Sequence, residues 1–269
     1  MSTWVGQLLG MTKLKTGSPD RNGWFSRASI WLDGEHARLF EPGGRQLAAV
    51  PLKSAGDVGS ALAALDSLIT KPARPGWHSL RVLLGAPFVR YFVLPWRPLP
   101  RPADWVSLAR AQFVREGPGG ADGWRFAVPD GQWGNGRLAV AAPEPLCVDI
   151  VRLCKSRQLR LAAIEPAFIH ALSKHLRRIH DGAIAVVELE QVDAGFAIAH
   201  IGFREHRQWT GFITLPATGS VEDVMRDAMV LCTAAVPERT YVIAPAGLQT
   251  WAMQSPAAQW LPSPWDAAP

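Results

Sequence analysis

Hydrophobic and polar positions alternate over short runs near the start of the chain, as they do in half-buried strands. Residues 28–32 and 37–40 are two such runs, and the Asp33-Gly34 pair between them is a strong hairpin signal. A third run covers residues 46–51. We therefore predict three consecutive strands that begin at residue 28.

The apolar period then changes from two residues to about four. Val58, Leu62, Leu65 and Ile69 share one face of a helix, and Pro72 follows its end. Beyond it we predict strands at 80–84, 89–94, 124–128, 137–142 and 161–164, with helices around residues 105–113, 146–154 and 168–176. The interleaving of strands and helices indicates a mixed α/β fold.

Asp181-Gly182 is the clearest boundary, because this turn pair separates a basic helix end from the apolar run 183–187. Strands at 196–201 and 208–213, a helix over 221–232 and a strand at 240–244 complete the second half. We predict a flexible N-terminal arm (1–23), a first lobe (24–180) with an inserted subdomain (about 80–142), a second lobe (181–250) and a Trp/Pro-rich tail (251–269). Both lobes open with hairpins and continue with helices, which indicates a duplicated ββ(β)αβα plan.

Composition narrows the functional classes. With 48% hydrophobic and 19% charged residues, a folded body is expected, and no apolar run reaches the length of a membrane span. We expect no secretion signal, and we read Cys147, Cys154 and Cys232 as reduced buried thiols. The net charge of +5 favours an anionic surface nearby, but the basic residues are too scattered for nucleic-acid binding.

Local catalytic signatures are absent from the sequence: it has no GxxxxGK[ST], HExxH or GxSxG motif. His170 and His175 are five residues apart and diverge around a helix, so we expect no metal site there. We place His200 and His206 on the exposed flanks of a hairpin turn at Gly202. The prediction is a protein without catalytic residues, metal or cofactor.

The order of elements between Arg81 and Leu215 resembles a known family. The features that carry the likeness are Val82-Leu83-Leu84-Gly85 before a strand that ends at Pro95, a Trp/Ala/Phe-rich helix, Gly136-Arg137-Leu138-Ala139-Val140-Ala141-Ala142, the basic link 156–160, Ile164-Glu165-Pro166, and the strands 183–188 and 207–213. They resemble the actin-like platform proteins of type IV pilus and type II secretion systems, which include PilM, MshI and the cytoplasmic domain of GspL.

The resemblance implies an actin-like, ribonuclease-H-like two-lobe fold with mixed sheets and a nucleotide cleft between the lobes. In such clefts two hairpins hold the phosphates and a metal. The corresponding positions here are Asp33 and Gly34 in the first lobe, and Glu188 and Gly195 in the second. Neither turn has the expected glycine and hydroxyl pattern, so the resemblance implies a degenerate cleft.

By the same resemblance, the protein is a non-enzymatic cytoplasmic scaffold, peripheral to the inner membrane. Its partners would be the cytoplasmic tail of a bitopic membrane protein and an assembly motor ATPase. From the residues themselves, Trp96, Arg97, Arg101 and Trp105 are the partner contacts we predict, because tryptophan and arginine are enriched in binding hot spots and the intervening prolines stiffen the segment. An inter-lobe linker is the other reading of this segment.

Two alternatives stay open. One is an active ATP-dependent kinase or ATPase of the same fold, with Mg²⁺ held by Asp33 and Glu188. The other is a free-standing protein-binding module that serves no filament system.

Overall fold

The computed structural model describes residues 25–72, 77–116, 120–193 and 196–265. The predicted N-terminal arm lies outside these residues. The chain begins with β1 (Phe25–Leu32), β2 (His36–Phe40), β3 (Gln46–Pro51), α1 (Val58–Leu68) and β4 (Trp77–Leu84). Asp57 caps α1, because its carboxylate accepts the Ser60 backbone N–H at 2.7 Å.

An antiparallel unit is inserted after β4. It consists of β5 (Arg90–Leu94), α2 (Pro102–Glu116), β6 (Trp124–Ala127) and β7 (Arg137–Pro143), and its strand order is β5-β7-β6. The first lobe then resumes with α3 (Glu144–Ser156), β8 (Arg160–Pro166) and α4 (Ala167–His175). The insertion therefore has a small sheet and core of its own.

The second lobe contains β9 (Ile184–Asp193), β10 (Phe196–Glu205), β11 (Gln208–Pro216), α5 (Val221–Cys232) and β12 (Arg239–Ala244). A short helix, α6 (Gln249–Ala252), leads to β13 (Ala258–Pro262). Ser220 and Asp223 form a reciprocal capping box at the start of α5.

Both lobes have the same sheet topology. The first sheet has the order β3-β2-β1-β4-β8 and the second β11-β10-β9-β12-β13. In each sheet the first strand pairs antiparallel with the second strand, and parallel with the fourth strand in chain order, which is β4 in the first sheet and β12 in the second. This equivalence is the duplicated plan that the order of elements in the sequence indicated.

Each sheet buries one face under its own helices and turns the other toward the opposite lobe. In the first sheet Ile30 and Val82 pack under the helices, whereas Trp31 and Leu83 lie on the other face. In the second sheet the residues under α5 include Val187, while Ile184 and Val186 face α4 and the insertion. Residues of the same parity as Val186 on β9 therefore line the cleft between the lobes.

Two predictions about the second lobe are wrong. Gly202 lies inside β10, not in a turn; the turn is formed by His206 and Arg207, which both have positive φ. His200 is buried instead of exposed.

The predicted tail also differs from the structure. Residues 251–265 are not a separate tail, because β13 pairs in parallel with β12. This strand was not predicted because it is only five residues long and lies among prolines.

Within the described ranges, no helix has the length and apolar character that crossing a bilayer requires.

We predict that Gly202→Ala destabilises the protein by about 1–3 kcal/mol, because a Cβ at this position would lie 2.5 Å from Cζ3 of Trp209 and the ring would have to move. Urea denaturation measures the change. Gly131→Ala is the matched control, since its nearest neighbour would be at 3.5 Å. Equal stability of the two variants would contradict the packing that we describe.

Candidate functional site

The cleft between the lobes contains three buried carboxyl groups, those of Asp33, Glu188 and Glu190. Asp33 lies in the turn that joins β1 to β2. Glu188 and Glu190 lie two residues apart on β9, so both point from the same face of the strand. Each of the three is at most 4% exposed. Unpaired buried charges are costly, so the partners of these groups decide what the cleft can bind.

Asp33 is engaged by its own hairpin. Its carboxylate accepts the backbone N–H groups of Glu35 and His36 and lies 3.0 Å from Nε of Arg38. Burial raises the pKa of Asp33, while Arg38 and the two backbone donors oppose that rise. Asp33 therefore stabilises the turn, and Glu190 adds a smaller effect that raises the pKa of Asp33.

Glu190 joins the two lobes. Its Oε2 accepts the backbone N–H of Ala86 at 3.1 Å and lies 3.2 Å from Nε2 of His200. His200 is held from its other side by the Thr214 hydroxyl, 2.9 Å from Nδ1. A side chain at Gly85 would collide with the Glu190 carboxylate, so glycine is required there.

Glu188 has no cationic partner among the described residues. Burial and the nearby charge of Glu190 raise its pKa well above the ordinary value of 4.5, and Trp265 opposes the rise. Tyr91 is half-buried, and its hydroxyl accepts the backbone N–H of Phe168; burial of the hydroxyl and then Glu188 raise its pKa. The centre of the cleft therefore favours neutral, protonated side chains.

Aromatic side chains fill the space beside the carboxyl groups. The Trp265 ring stacks on Trp31, with centroids 5.0 Å apart, and on His170 at 5.6 Å, while Arg38 lies over Trp31. We call these four residues the cleft stack. Trp265 reaches it because β13 carries the chain to the edge of the cleft.

The insertion contacts the second lobe directly. Tyr91 of β5 packs on Phe212 of β11, with ring centroids 4.7 Å apart, and both rings contact Phe168 of α4. At Gly136 an added Cβ would lie 2.9 Å from the Trp209 carbonyl oxygen. The two lobes are thus bridged by α4 and by the insertion.

The structure describes three of the four residues that the sequence analysis placed in a nucleotide site. Asp33 and Glu188 both lie in the cleft, and Gly34 approaches the 86–87 backbone, since its Cβ would lie 3.2 Å from the Ala86 oxygen. Gly195 lies outside the described residues. The sequence analysis did not identify Trp265 as a cleft residue or Glu190 as the contact between the lobes.

The predicted partner residues divide between surface and core. Trp96 and Arg97 are exposed, and Arg101 is exposed but pairs with Asp104 at 3.0 Å. Trp105 is wrong as a partner contact, because it is buried, donates its N–H to the Leu99 carbonyl and lies beneath the Arg137 guanidinium. The inward face of α2 places it in the core of the insertion.

Trp133 is an exposed aromatic residue that sequence reasoning did not select. It meets Trp96 edge to face, with centroids 5.7 Å apart, and is 64% exposed. We call Trp96, Arg97 and Trp133 the tryptophan surface. Its position in a Gly-rich loop was the available signal.

The carboxyl groups do not make a recognisable metal site. No group of three or more side chains suited to holding a metal ion occurs in the described part of the chain.

Comparisons with known proteins identify the fold. No family model matches the sequence, and no curated protein is similar to it. Among solved structures, a Bacteroides thetaiotaomicron protein with an actin-like ATPase fold and unknown function aligns with a TM-score of 0.56 and 9% identity, over 91% of this chain and 94% of that one. A PilM-PilN type IV pilus biogenesis complex aligns with a TM-score of 0.51 and 14% identity, over 90% of both chains.

The cytoplasmic domain of EpsL, an inner membrane component of the Vibrio cholerae type II secretion system, aligns at a TM-score of 0.49 and 11% identity, over 89% of both chains. At such identities the first two alignments establish the fold alone. The predicted actin-like fold is therefore confirmed.

We predict that Glu188→Gln reduces the loss of folding stability that occurs as the pH rises from 5 to 8. Because its pKa is raised in the folded state, the folded protein keeps a proton that the unfolded chain releases above about pH 4.5. Wild-type stability therefore falls as pH rises from that value toward the folded pKa, whereas glutamine cannot ionise. Urea denaturation at pH 5 and pH 8 measures the difference.

The exposed Glu222→Gln is the control for this experiment and should behave as wild type at both pH values. If Glu188→Gln gave the same pH dependence as wild type, Glu188 would not be the group that keeps the extra proton.

Proposed function

We propose that this protein is a non-enzymatic, actin-like scaffold that binds a segment of a partner protein within the inner-membrane platform of a type IV pilus or type II secretion-like machine. The observation that carries the proposal is the state of the cleft, where phosphates would lie in an active relative. The cleft is closed by its own carboxyl groups and aromatic rings.

Electrostatics argues against a nucleotide. Polyphosphate sites offer backbone N–H groups, cations and a metal. Here the Ala86 N–H is already donated to Glu190, and the Arg38 guanidinium lies 3.0 Å from Asp33. Three buried carboxyl groups would lie beside the added negative charge. ATP with Mg²⁺ therefore does not fit the residues present.

The partner side of the proposal has two supports. One is the resemblance, in order of elements, of residues 81–215 to pilus and secretion platform proteins. The other is one of the solved structures with a similar fold, which is a PilM-PilN type IV pilus biogenesis complex. By analogy the partner here is the cytoplasmic tail of a bitopic membrane protein, and the scaffold would work at the cytoplasmic side of that membrane.

We assign the partner to the tryptophan surface. Two tryptophans in mutual contact form a rigid, half-exposed aromatic patch, and such patches are typical of binding hot spots. The neighbouring Arg97 favours an acidic position in the bound segment. The occupant is then an extended peptide with an apolar anchor and an acidic residue.

The nucleotide half of the proposal is tested by titration calorimetry with MgATP. We expect no saturable heat at millimolar nucleotide, because the Arg38 guanidinium beside the cleft is already paired with Asp33. Micromolar binding that both Asp33→Ala and Glu188→Ala abolish would overturn the proposal and establish the ATPase or kinase alternative.

The partner half is tested with a synthetic peptide for the cytoplasmic tail of a bitopic inner-membrane platform protein from the same organism. We expect Trp96→Ala combined with Trp133→Ala to weaken peptide binding by about 2 kcal/mol, roughly thirtyfold, because hot-spot tryptophans are lost. Val230→Ala with Leu231→Ala removes exposed apolar area on α5 and should leave the affinity unchanged. Equal loss in both double variants would show that the peptide does not use the tryptophan surface.

A further inference from the structure

Exposed apolar side chains are concentrated at one end of the second lobe. Nine large apolar side chains are exposed in the described part of the chain, and five of them lie at this end, namely Leu176, Val230, Leu231, Val236 and Met253. They belong to separate segments: the turn after α4, the last turn of α5, the loop before β12 and the loop before β13. Exposed apolar area gathered in one place marks an interaction site.

Strand pairing and hydrogen bonds hold these segments at the same edge of the sheet. The Glu238 backbone N–H donates to the Ala183 carbonyl at 2.7 Å, and the Arg207 guanidinium donates to Asp181 at 2.8 Å. The starts of β9, β12 and β13 lie side by side with the end of β10. This edge is at the end of β9 opposite to the carboxyl groups of the cleft. We call its residues the second-lobe rim, which comprises 176–183, 204–208, 230–239 and 253–257.

The outward stripe of α5 changes from charged to apolar where it reaches the rim. Arg226 and Asp227 are exposed on the middle turn, and Val230 and Leu231 take the equivalent positions one turn later. These two apolar side chains are 73% and 62% exposed, and Val236 beyond them is 78% exposed. Three apolar side chains therefore project into solvent from the rim.

Arginine side chains are interleaved with the apolar ones. The rim carries five arginines and three carboxylates, which are Arg177, Arg178, Arg204, Arg207 and Arg239, and Asp181, Glu205 and Glu238. Asp181 already pairs with Arg207 at 2.8 Å and lies 3.9 Å from Arg204. Arg177, Arg178 and Arg239 are exposed and form no ion pair with any described residue. The rim therefore offers cationic groups to an external anion.

We propose that the second-lobe rim docks on the surface of an anionic phospholipid bilayer. Its valine, leucine and methionine side chains enter the boundary between headgroups and acyl chains, and the arginines around them pair with lipid phosphates. Both contributions are needed, because an excess of two positive charges on the rim binds weakly by itself.

The layout of the rim favours a bilayer over a peptide as the occupant. A peptide segment is bound along a groove or a free strand edge. The exposed apolar residues of the rim are instead distributed over four segments along one edge of a five-stranded sheet, with arginines between them. Such a broad, mixed surface matches a plane that presents anionic headgroups and apolar chains at every point. The acidic Glu222 and Asp223 lie in the first turn of α5, farther from that plane.

Flotation of the purified protein with lipid vesicles tests the charge contribution. We expect wild type to bind vesicles of phosphatidylcholine with about 30% phosphatidylglycerol at least about tenfold more tightly than vesicles of phosphatidylcholine alone. Arg177→Glu combined with Arg178→Glu should weaken binding to the anionic vesicles by about tenfold or more, because two lipid-facing cations become anions. Lys155→Glu with Arg160→Glu changes the net charge by the same amount on the first lobe and should leave the binding unchanged.

The apolar contribution is tested with a pair of variants that keep the net charge. Leu231→Gln with Val236→Gln should weaken binding to the anionic vesicles by at least about fivefold, since less apolar area enters the interface. Leu47→Gln with Val114→Gln is the matched control, because these side chains are also exposed but lie on β3 and α2, away from the rim. All four positions are exposed, so the variants should keep the urea midpoint of wild type.

Several results would overturn the proposal: no binding of wild type to the anionic vesicles, equal binding to both vesicle types, or equal losses in rim and control variants. A wild-type dimer in gel filtration that Leu231→Gln with Val236→Gln dissociates, without any flotation, would also overturn it and make the rim an interface between copies. The comparison of the two vesicle types uses wild type alone, so it decides the proposal even if a variant folds poorly.

The proposal deepens the proposed function, on which it rests for the presence of a membrane beside the protein. The vesicles contain no protein, so failure to float leaves the scaffold and its peptide partner standing. Failure of the peptide to bind, with flotation intact, would remove the partner assigned to the tryptophan surface and leave the rim.

Discussion

The contact between Glu190 and the Gly85-Ala86 backbone is the constraint on which the arrangement of the lobes depends. It joins the end of β4 in the first lobe to β9 in the second through a buried carboxylate, a backbone N–H and His200. Burying a carboxylate is costly unless its oxygens are matched, so each partner is fixed in turn. Glycine is needed at position 85, and Thr214 must orient the imidazole. The same contact draws the two sheets together at the cleft between the lobes.

The consequences for chemistry follow from charge and space. The Asp33 carboxylate accepts hydrogen bonds within its own hairpin, and the Glu190 carboxylate forms the contact between the lobes. Glu188 has no cationic partner among the described residues, and burial raises its pKa. The three acidic side chains of the cleft are therefore in three different environments. An acidic residue at a motif position is not evidence for the motif's reaction unless the groups around it are free to receive the ligand.

Much of the fold was accessible from the sequence because its elements are locally consistent. The Asp33-Gly34 turn, the caps of α1 and α5 and the apolar periods each specify one structure without reference to distant residues. The site was less accessible, since Ala86 and its acceptor Glu190 are 104 residues apart in sequence and no local signal pairs them. Trp265 and β13 were not predicted for the same reason. The strand has only five residues before a Pro-rich end, and only its pairing with β12 identifies it as a strand.

The contact between β5 of the insertion and β11 of the second lobe has a mechanical consequence. An actin-like protein that opens and shuts needs a single compliant crossing between its halves, with few residues absorbing the rotation. Here the halves are crossed by α4, by the Glu190 contact and by the Tyr91, Phe168 and Phe212 rings at separate points. Rotation about any one crossing would break the other two. These contacts therefore oppose rotation of one lobe against the other, because such a rotation would shear the packed rings of Tyr91, Phe168 and Phe212.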